Sequence, residues 1–277
     1  MLKRPAFLVG TMRSGSTLLA ECLGAHPLIA YVGFELSEEW SRHGGAPIGG
    51  DTEDPHCPAL GAEQAQDGVR DALHRCFAQR LAAEGGDKPF FLNKNPHLSN
   101  KLGYLRALFP DASLIVTGRD LRSTVASTKK LFETTVQQAG GQGHFLPEDP
   151  AFCWSCYPPL PPGSTDPARS FPGGDVAVIS EYWLRTYEAI DAELDSFERW
   201  AVVRHGDFVA APKAAIGEVL GRLEIPERDF ELPVAIDRGR NGRWSQLLSA
   251  AEQASLERFI AAHRGRILAL RSADTTL

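Results

Sequence analysis

Four short apolar runs constrain the fold of this chain most strongly, because none of them alternates between apolar and polar residues. A short apolar run bounded by turn residues is typical of a strand that is buried on both faces. The runs are AFLV at Ala6–Val9, PFFL at Pro89–Leu92, SLIVTG at Ser113–Gly118 and WAVV at Trp200–Val203. They predict a parallel sheet with both faces covered.

Helical patterns lie between these runs. Apolar residues recur at helical spacing in three stretches, Val69–Leu81, Leu102–Leu108 and Leu256–Ile267. Strands that alternate with helices are typical of α/β folds, in which helices pack on both faces of a parallel sheet. We therefore predict a three-layer α/β protein in which residues 1–277 form a single domain.

Residues 140–174 interrupt this alternation with several glycines and the proline-rich segment YPPLPPGSTDP. Long insertions of this kind are often lids or binding loops, and the composition is equally compatible with disorder. If the insertion is a substrate lid, His144, Trp154 and Tyr157 are candidates to line an acceptor pocket. The alternative is that these side chains only pack the loop against the protein.

Charge and cysteine content exclude some classes of partner. The formal net charge of −6 gives no overall positive field for nucleic acid or an anionic membrane, so an anion site must be local. No apolar run approaches the roughly 20 residues of a membrane helix, and the N-terminus lacks the apolar core of a signal peptide. The five cysteines are odd in number and scattered, which favours a reducing compartment. We expect a cytoplasmic protein without metal, nucleic-acid or membrane partners.

The first apolar run leads into a glycine-rich turn and a helix start, FLVGTMRSGSTLL. Gly10, Gly15 and Thr17 fit the P-loop pattern GxxxxGK[ST], but Ser16 stands at the lysine position. Such a turn directs backbone N–H groups and the positive end of the helix at one place, which favours an anion. The hydroxyls of Ser14, Ser16 and Thr17 can add donors. The alternative is an ordinary turn in which Ser and Thr cap the helix.

The cation of this loop is Arg13. A P-loop lysine reaches the β- and γ-phosphates of a nucleotide, and NTPases add an acidic residue that holds Mg²⁺. Arg13 lies within the loop instead, where its guanidinium can bind an oxygen that bridges two acid groups. The pattern favours transfer of a group other than phosphoryl. The alternatives are a P-loop kinase or NTPase with a degenerate Walker A loop, and a nucleotide-binding scaffold without catalysis.

The glycine-rich loop and four later stretches resemble, in order, segments of one known family. GTMRSGSTLL resembles the 5′-phosphosulfate loop, marked by RSGTT or KSGTT, of the sulfotransferases that use 3′-phosphoadenosine-5′-phosphosulfate (PAPS). AHPLIAYVGFELSEEW and FLNKNPH resemble segments of the tyrosylprotein and carbohydrate-type members. LFPDASLIVTGRDLRSTVAS resembles the 3′-phosphate segment, and WAVVRHGDFVAAP the strand usually written VRYEDL. The resemblance covers about Phe7 to Pro226, except residues 140–174.

This resemblance implies a P-loop-like sulfotransferase fold and an activity. The sulfuryl group of PAPS would move in line to a hydroxyl, phenol or amine of a small or medium acceptor. A sulfonate carries less charge than a phosphoryl group, so no metal is required. The expected partners are the acceptor and, as one option, a second copy of the chain in a homodimer.

The resemblance also implies roles for individual residues. Ser14–Thr17 would bind the 5′-phosphate, and Arg119 with Ser127, eight residues further on, would bind the 3′-phosphate. Arg13 and Lys94 would stabilise charge on the bridging oxygen as the adenosine bisphosphate leaves.

Two of these assignments have simpler alternatives. Arg119 could pair locally with Asp120, and Lys94 could be a surface lysine. In the C-terminal segment DRGRNGRWSQLL, Arg240 and Arg243 are candidates for a basic loop over the 3′-phosphate. A solvated basic loop before a helix is an equal alternative there.

The acceptor must lose a proton, so the site needs a base. Glu35 in GFELSEEW matches the base of the members that use glutamate. His97 in NKNPHL is the rival, although it lies one residue beyond the position of the base in members that use histidine. The simpler alternative for Glu35 is an acidic helix start that it shares with Glu38 and Glu39.

Overall fold

The computed structural model describes residues 2–44, 60–138, 174–236 and 242–277. Five strands form one sheet, in the order β2-β3-β1-β4-β5, and every neighbouring pair is parallel. The strands are β1 (Ala6–Gly10), β2 (Ile29–Tyr31), β3 (Phe90–Lys94), β4 (Ser113–Gly118) and β5 (Arg199–Arg204). All four predicted strands are present. The short edge strand β2 was not predicted from the sequence.

The helices connect these strands and follow the last one. They are α1 (Ser16–Gly24), α2 (Ser37–His43), α3 (Asp67–Glu84), α4 (Leu102–Leu108), α5 (Leu121–Gln138), α6 (Val176–Glu193), α7 (His205–Ala210), α8 (Pro212–Arg222), α9 (Trp244–Leu247) and α10 (Ala250–Ala269). The three predicted helical stretches correspond to α3, α4 and α10. Among the described residues, no helix combines the length and apolarity needed to cross a membrane.

The sheet separates two hydrophobic cores. Phe7 and Val9 of β1 pack with residues of α2, α3, α4, α5, α6 and α10 on one face. Ala6 and Leu8 of the same strand pack with α1, α7 and α8 on the other face. Successive side chains of a strand point to opposite faces, so a run that is apolar throughout needs a core on each side. The predicted three-layer α/β fold is therefore confirmed.

The loops that contain the predicted site residues lie at the carboxyl edge of the sheet. Strand β1 lies between β3 and β4, and in open α/β sheets ligands bind at such an edge, where the connections diverge. Gly10 ends β1 with φ 139, and a Cβ there would lie 2.6 Å from the carbonyl oxygen of Thr117. Only glycine allows the ends of β1 and β4 to approach this closely.

Candidate active site

The loop between β1 and α1 is shaped to leave the helix start open. Gly15 adopts φ 92, and no side chain caps α1, so the predicted alternative of a Ser or Thr cap is not observed. A Cβ on Gly15 would lie 2.4 Å from Cδ2 of His205, which requires glycine here. The first amides of a helix have no acceptor within it. The amides of Ser16 and Thr17 therefore face the edge where an anion would bind.

Ser14 contributes to this loop through bonds inside the protein. Its side chain is buried, and its hydroxyl lies 2.7 Å from the carbonyl oxygen of Thr11 and 2.6 Å from Oγ1 of Thr117. The bond to Thr117 attaches the loop after β1 to the end of β4, and the bond to Thr11 lies within the loop. The contacts of Ser14 therefore shape the loop.

Arg13 and Ser127 bring the two predicted phosphate sites together. Nε of Arg13 donates to Oγ of Ser127, on α5, at 3.1 Å. Arg13 adopts φ 62, a left-handed conformation that costs a residue with a Cβ about 1–2 kcal/mol. Such strain concentrates at functional sites. The conformation keeps the exposed Arg13 side chain at the crevice between β1 and β4.

Arg119 follows β4 and faces the same loop. Its Nη1 donates to the carbonyl oxygen of Arg13 at 2.8 Å, whereas the Asp120 carboxylate accepts the N–H of Ser123. The buried Nε of Arg119 has no hydrogen-bond partner. Burial lowers the pKa of Arg119; Asp120 opposes this shift and Arg13 adds to it. Two neighbouring guanidinium groups of this kind favour an anion between them.

Three predicted catalytic residues from two distant segments meet beside β3. Nζ of Lys94 lies 2.6 Å from Oε1 of Glu35, and Nε2 of His97 lies 3.9 Å from Oε2. The side chains of Lys94 and His97 are 2% and 7% exposed, whereas that of Glu35 is 18% exposed. Asn95 fixes this geometry because it donates to the carbonyl oxygen of Glu35 and accepts the His97 N–H. Lys94 is therefore not a surface lysine. Glu35 precedes α2 and is not part of that helix.

Lys94 is a buried cation with two stabilising neighbours. Burial lowers the pKa of Lys94, and the Glu35 carboxylate opposes that shift. Nζ of Lys94 also lies 3.6 Å from the centroid of the Phe34 ring, a distance at which a cation is attracted to the ring. Phe34 is itself 61% exposed. An exposed aromatic ring therefore adjoins the carboxylate and the ammonium group.

Helix α6 supplies contacts that the sequence analysis missed. The hydroxyl of Tyr182 accepts the N–H of Met12, and Nε1 of Trp183 donates to the carbonyl oxygen of Arg119. The hydroxyl of Tyr187 reaches Thr11 and Thr117. The only sequence signal is the aromatic pattern EYWLRTYEAI, which is also typical of a helix buried in a core.

The C-terminal segment approaches the start of α5. Arg240 lies outside the described residues, as does the insertion except Gly174. Arg243 is exposed and directly precedes α9. Trp244 lies beside Arg122, which pairs with Glu257 at 2.7 Å. A cavity of about 390 Å³ opens here; its lining includes Asp120, Ser123, Gly242 and Trp244. The described residues contain no group of His, Cys, Asp and Glu suited to a metal ion.

The fold and the crevice define a P-loop-like α/β protein with two arginines beside its glycine-rich turn. The model of the sulfotransferase family matches residues 5–147, and the chain belongs to this family. The motif resemblance to sulfotransferases is thus confirmed, while the roles of the individual site residues stay predictions.

Individual relatives agree with this assignment. Protein-tyrosine sulfotransferase 1 of Homo sapiens is 31% identical over 131 residues, which cover 44% of this chain and 32% of that protein. The matched part of the chain thus spans about a third of the length of the curated relatives. A sulfotransferase structure from Alicyclobacillus acidocaldarius aligns over 99% of this chain and 98% of its own, with TM-score 0.58 and 13% identity. One from Mycobacterium tuberculosis covers 96% of this chain and 77% of its own, with TM-score 0.52 and 17% identity. These structural likenesses support the fold.

Proposed function

We propose that this protein transfers the sulfuryl group of PAPS to an acceptor hydroxyl, with a phenol as the preferred class. One observation carries the proposal: the carboxyl ends of four adjacent strands, β2, β3, β1 and β4, bring a glycine-rich turn, two arginines and a carboxylate–lysine pair to one edge of the sheet. Arg13 and Arg119 belong to the loops after β1 and β4, and Lys94 ends β3. The tertiary structure thus brings groups suited to anion binding to the same edge of the sheet as groups suited to proton transfer.

The nucleotide side of the crevice fits a donor with two separate phosphates. Arg119 and Ser127 would bind the 3′-phosphate, and the buried Nε of Arg119, which lacks a hydrogen-bond partner, supports this role. The open start of α1 would bind the 5′-phosphate through the amides of Ser16 and Thr17. The cavity beside Asp120 and Trp244 is suitably placed for the rest of the nucleoside. PAPS supplies a sulfuryl group bonded to a stable leaving group.

Glu35 is the proposed base. Its carboxylate would take the proton of the acceptor hydroxyl while that oxygen bonds to sulfur and the bond from sulfur to the bridging oxygen breaks. Lys94 lies beside the carboxylate and would stabilise the negative charge that develops on the bridging oxygen, together with Arg13. Glu35 is more exposed than His97, which supports Glu35 as the group that an acceptor reaches.

The acceptor class follows from the surroundings of the base. Phe34 exposes its ring next to Glu35, and an aromatic acceptor can pack against such a ring. The relatives named protein-tyrosine sulfotransferases agree with a phenolic group. We therefore propose a phenol, either in a small molecule or in the tyrosyl side chain of a peptide.

Two measurements test this function. Thermal unfolding is followed with adenosine 3′,5′-bisphosphate and, separately, with ATP and Mg²⁺. A ligand at about 100 times its Kd stabilises the native state by about 2.7 kcal/mol, and we expect stabilisation by the bisphosphate. Transfer of labelled sulfate from PAPS is then measured with 4-nitrophenol, a tyrosine-containing peptide and an aliphatic alcohol. Stabilisation only by ATP and Mg²⁺ would contradict the proposal and favour a kinase.

A further inference from the structure

The hydroxyl of Tyr187 lies between the two anion-binding loops. It is 2.7 Å from the carbonyl oxygen of Thr117, 3.3 Å from the backbone nitrogen of Arg119 and 3.2 Å from Oγ1 of Thr11. Thr11 belongs to the loop after β1, and the other two residues to the end of β4 and the loop after it. The side chain of Tyr187 is fully buried. Its phenol therefore connects both loops from the interior of the protein.

The directions of these hydrogen bonds follow from the number of protons. A phenol has one proton, and the Thr117 carbonyl can only accept, so Tyr187 donates to Thr117. It then accepts from the Arg119 N–H, and the Thr11 hydroxyl must donate to it. Burial raises the pKa of Tyr187 to about 12, so the phenol keeps its proton at neutral pH. The whole set of bonds is therefore compatible and fixes both loops.

Two neighbouring aromatic residues of α6 provide a comparison within the same helix. Tyr182 bonds to the loop after β1, through Met12. Trp183 bonds to the loop after β4, through the Arg119 carbonyl oxygen. Tyr187 makes hydrogen bonds to both loops. Loss of the Tyr187 hydroxyl would thus remove the contact with α6 that both loops share, although the bond between Ser14 and Thr117 remains. Loss of either neighbour's bond would remove a contact of one loop.

We propose that Tyr187 is a positioning residue that sets the spacing between the two loops, so that a nucleotide with two phosphates binds both at once. This inference rests on the proposed PAPS-type donor. The ribose holds the 3′- and 5′-phosphates at a fixed separation, so the second phosphate binds intramolecularly only where the loops match that separation. A nucleotide with a single phosphate does not depend on this match.

Equilibrium binding of three ligands tests the spacing role. Kd values are measured by calorimetry for adenosine 3′,5′-bisphosphate, adenosine 5′-phosphate and adenosine 3′-phosphate, with the wild type and Tyr187→Phe. We expect the substitution to weaken binding of the bisphosphate about tenfold or more, and of each monophosphate by less than about threefold. Tyr182→Phe should weaken binding of adenosine 5′-phosphate and of the bisphosphate by the same factor. Trp183→Phe should weaken binding of adenosine 3′-phosphate and of the bisphosphate by the same factor.

Several outcomes would overturn the inference. An equal loss of affinity for all three ligands in Tyr187→Phe would mean that the tyrosine only stabilises the core. If Tyr187→Phe binds all three ligands as tightly as the wild type, Tyr187 has no positioning role. If Tyr187→Phe does not fold, Thr11→Val, which removes the Thr11 contact alone, must show the selective loss for the bisphosphate. Failure of the wild type to bind the bisphosphate would overturn the proposed function, and this inference with it.

Discussion

The proposed nucleotide side and the proposed acceptor side of the crevice are built differently. On the nucleotide side, neutral hydroxyls of Ser14, Thr117 and Tyr187 hold the loops by buried hydrogen bonds, and Arg13 and Arg119 stand next to each other. On the acceptor side, Lys94 and Glu35 are paired with each other. Neutral bonds shape the first region, and two arginines supply its positive charge. The second region balances its own charges, which suits proton transfer more than anion binding. Substitutions at four positions test this difference.

The largest expected effect is at the base of the acceptor side. Glu35→Gln should lower kcat by about 10²–10⁴-fold, because the amide cannot take a proton, and should leave the Kd of adenosine 3′,5′-bisphosphate unchanged. Steady-state kinetics with 4-nitrophenol and calorimetry measure the two quantities. Glu38→Gln, at an exposed carboxylate that pairs with Arg42, is the matched control. If His97→Gln abolishes turnover and Glu35→Gln does not, histidine is the base.

Lys94→Met is expected to have the next largest effect. Removal of one group that stabilises charge in the transition state costs about 10²–10³-fold in kcat, while nucleotide affinity should be retained because Lys94 pairs with Glu35. The control is Lys88→Met, which removes a lysine that bonds to the carbonyl oxygen of Gly24. A loss confined to nucleotide affinity would place Lys94 on the nucleotide side and contradict the proposed difference between the two regions.

Arg119→Ala should affect binding rather than chemistry. Loss of a hydrogen bond from a charged group costs about 1.5–3 kcal/mol, which corresponds to a Kd for adenosine 3′,5′-bisphosphate that rises by roughly 10-fold to 150-fold. Arg266→Ala, which breaks a pair with Glu188, is the matched control and should change this Kd much less. Equal effects of the two substitutions would rule out a specific 3′-phosphate contact for Arg119.

The smallest expected effect is a difference in stability between two variants at Arg13. Its left-handed conformation is easier for glycine than for a residue with a Cβ, so Arg13→Gly should unfold with a free energy about 1 kcal/mol higher than Arg13→Ala. Both variants lose the guanidinium, so both should lose turnover. Urea unfolding of the pair measures the difference. Equal stabilities would show that the loop changes conformation once the arginine is removed.

Much of the candidate site was predictable because its signals are local. The paired Glu35 and Lys94 were proposed from separate short segments, and the structure brings them together. An anion contact for the hydroxyl of Ser14 stays a prediction, whereas its bond to Thr117 of another strand had no local signal. Strand β2 was missed because its three residues, Ile29–Tyr31, carry too little pattern. The aromatic residues of α6 resemble core residues until their polar atoms are located.

The sequence by itself determined the strand, the glycine-rich turn and the helix start, because backbone torsions at Gly10 and Gly15 and the beginning of α1 depend on nearby residues. It also determined that Arg13 supplies the cation of that turn. Only the tertiary structure decided which distant groups meet, such as Arg13 with Ser127 and Tyr187 with both loops. The physical reason is that these bonds join residues far apart in the chain, so they form only once the order of the strands and the packing of α6 are set.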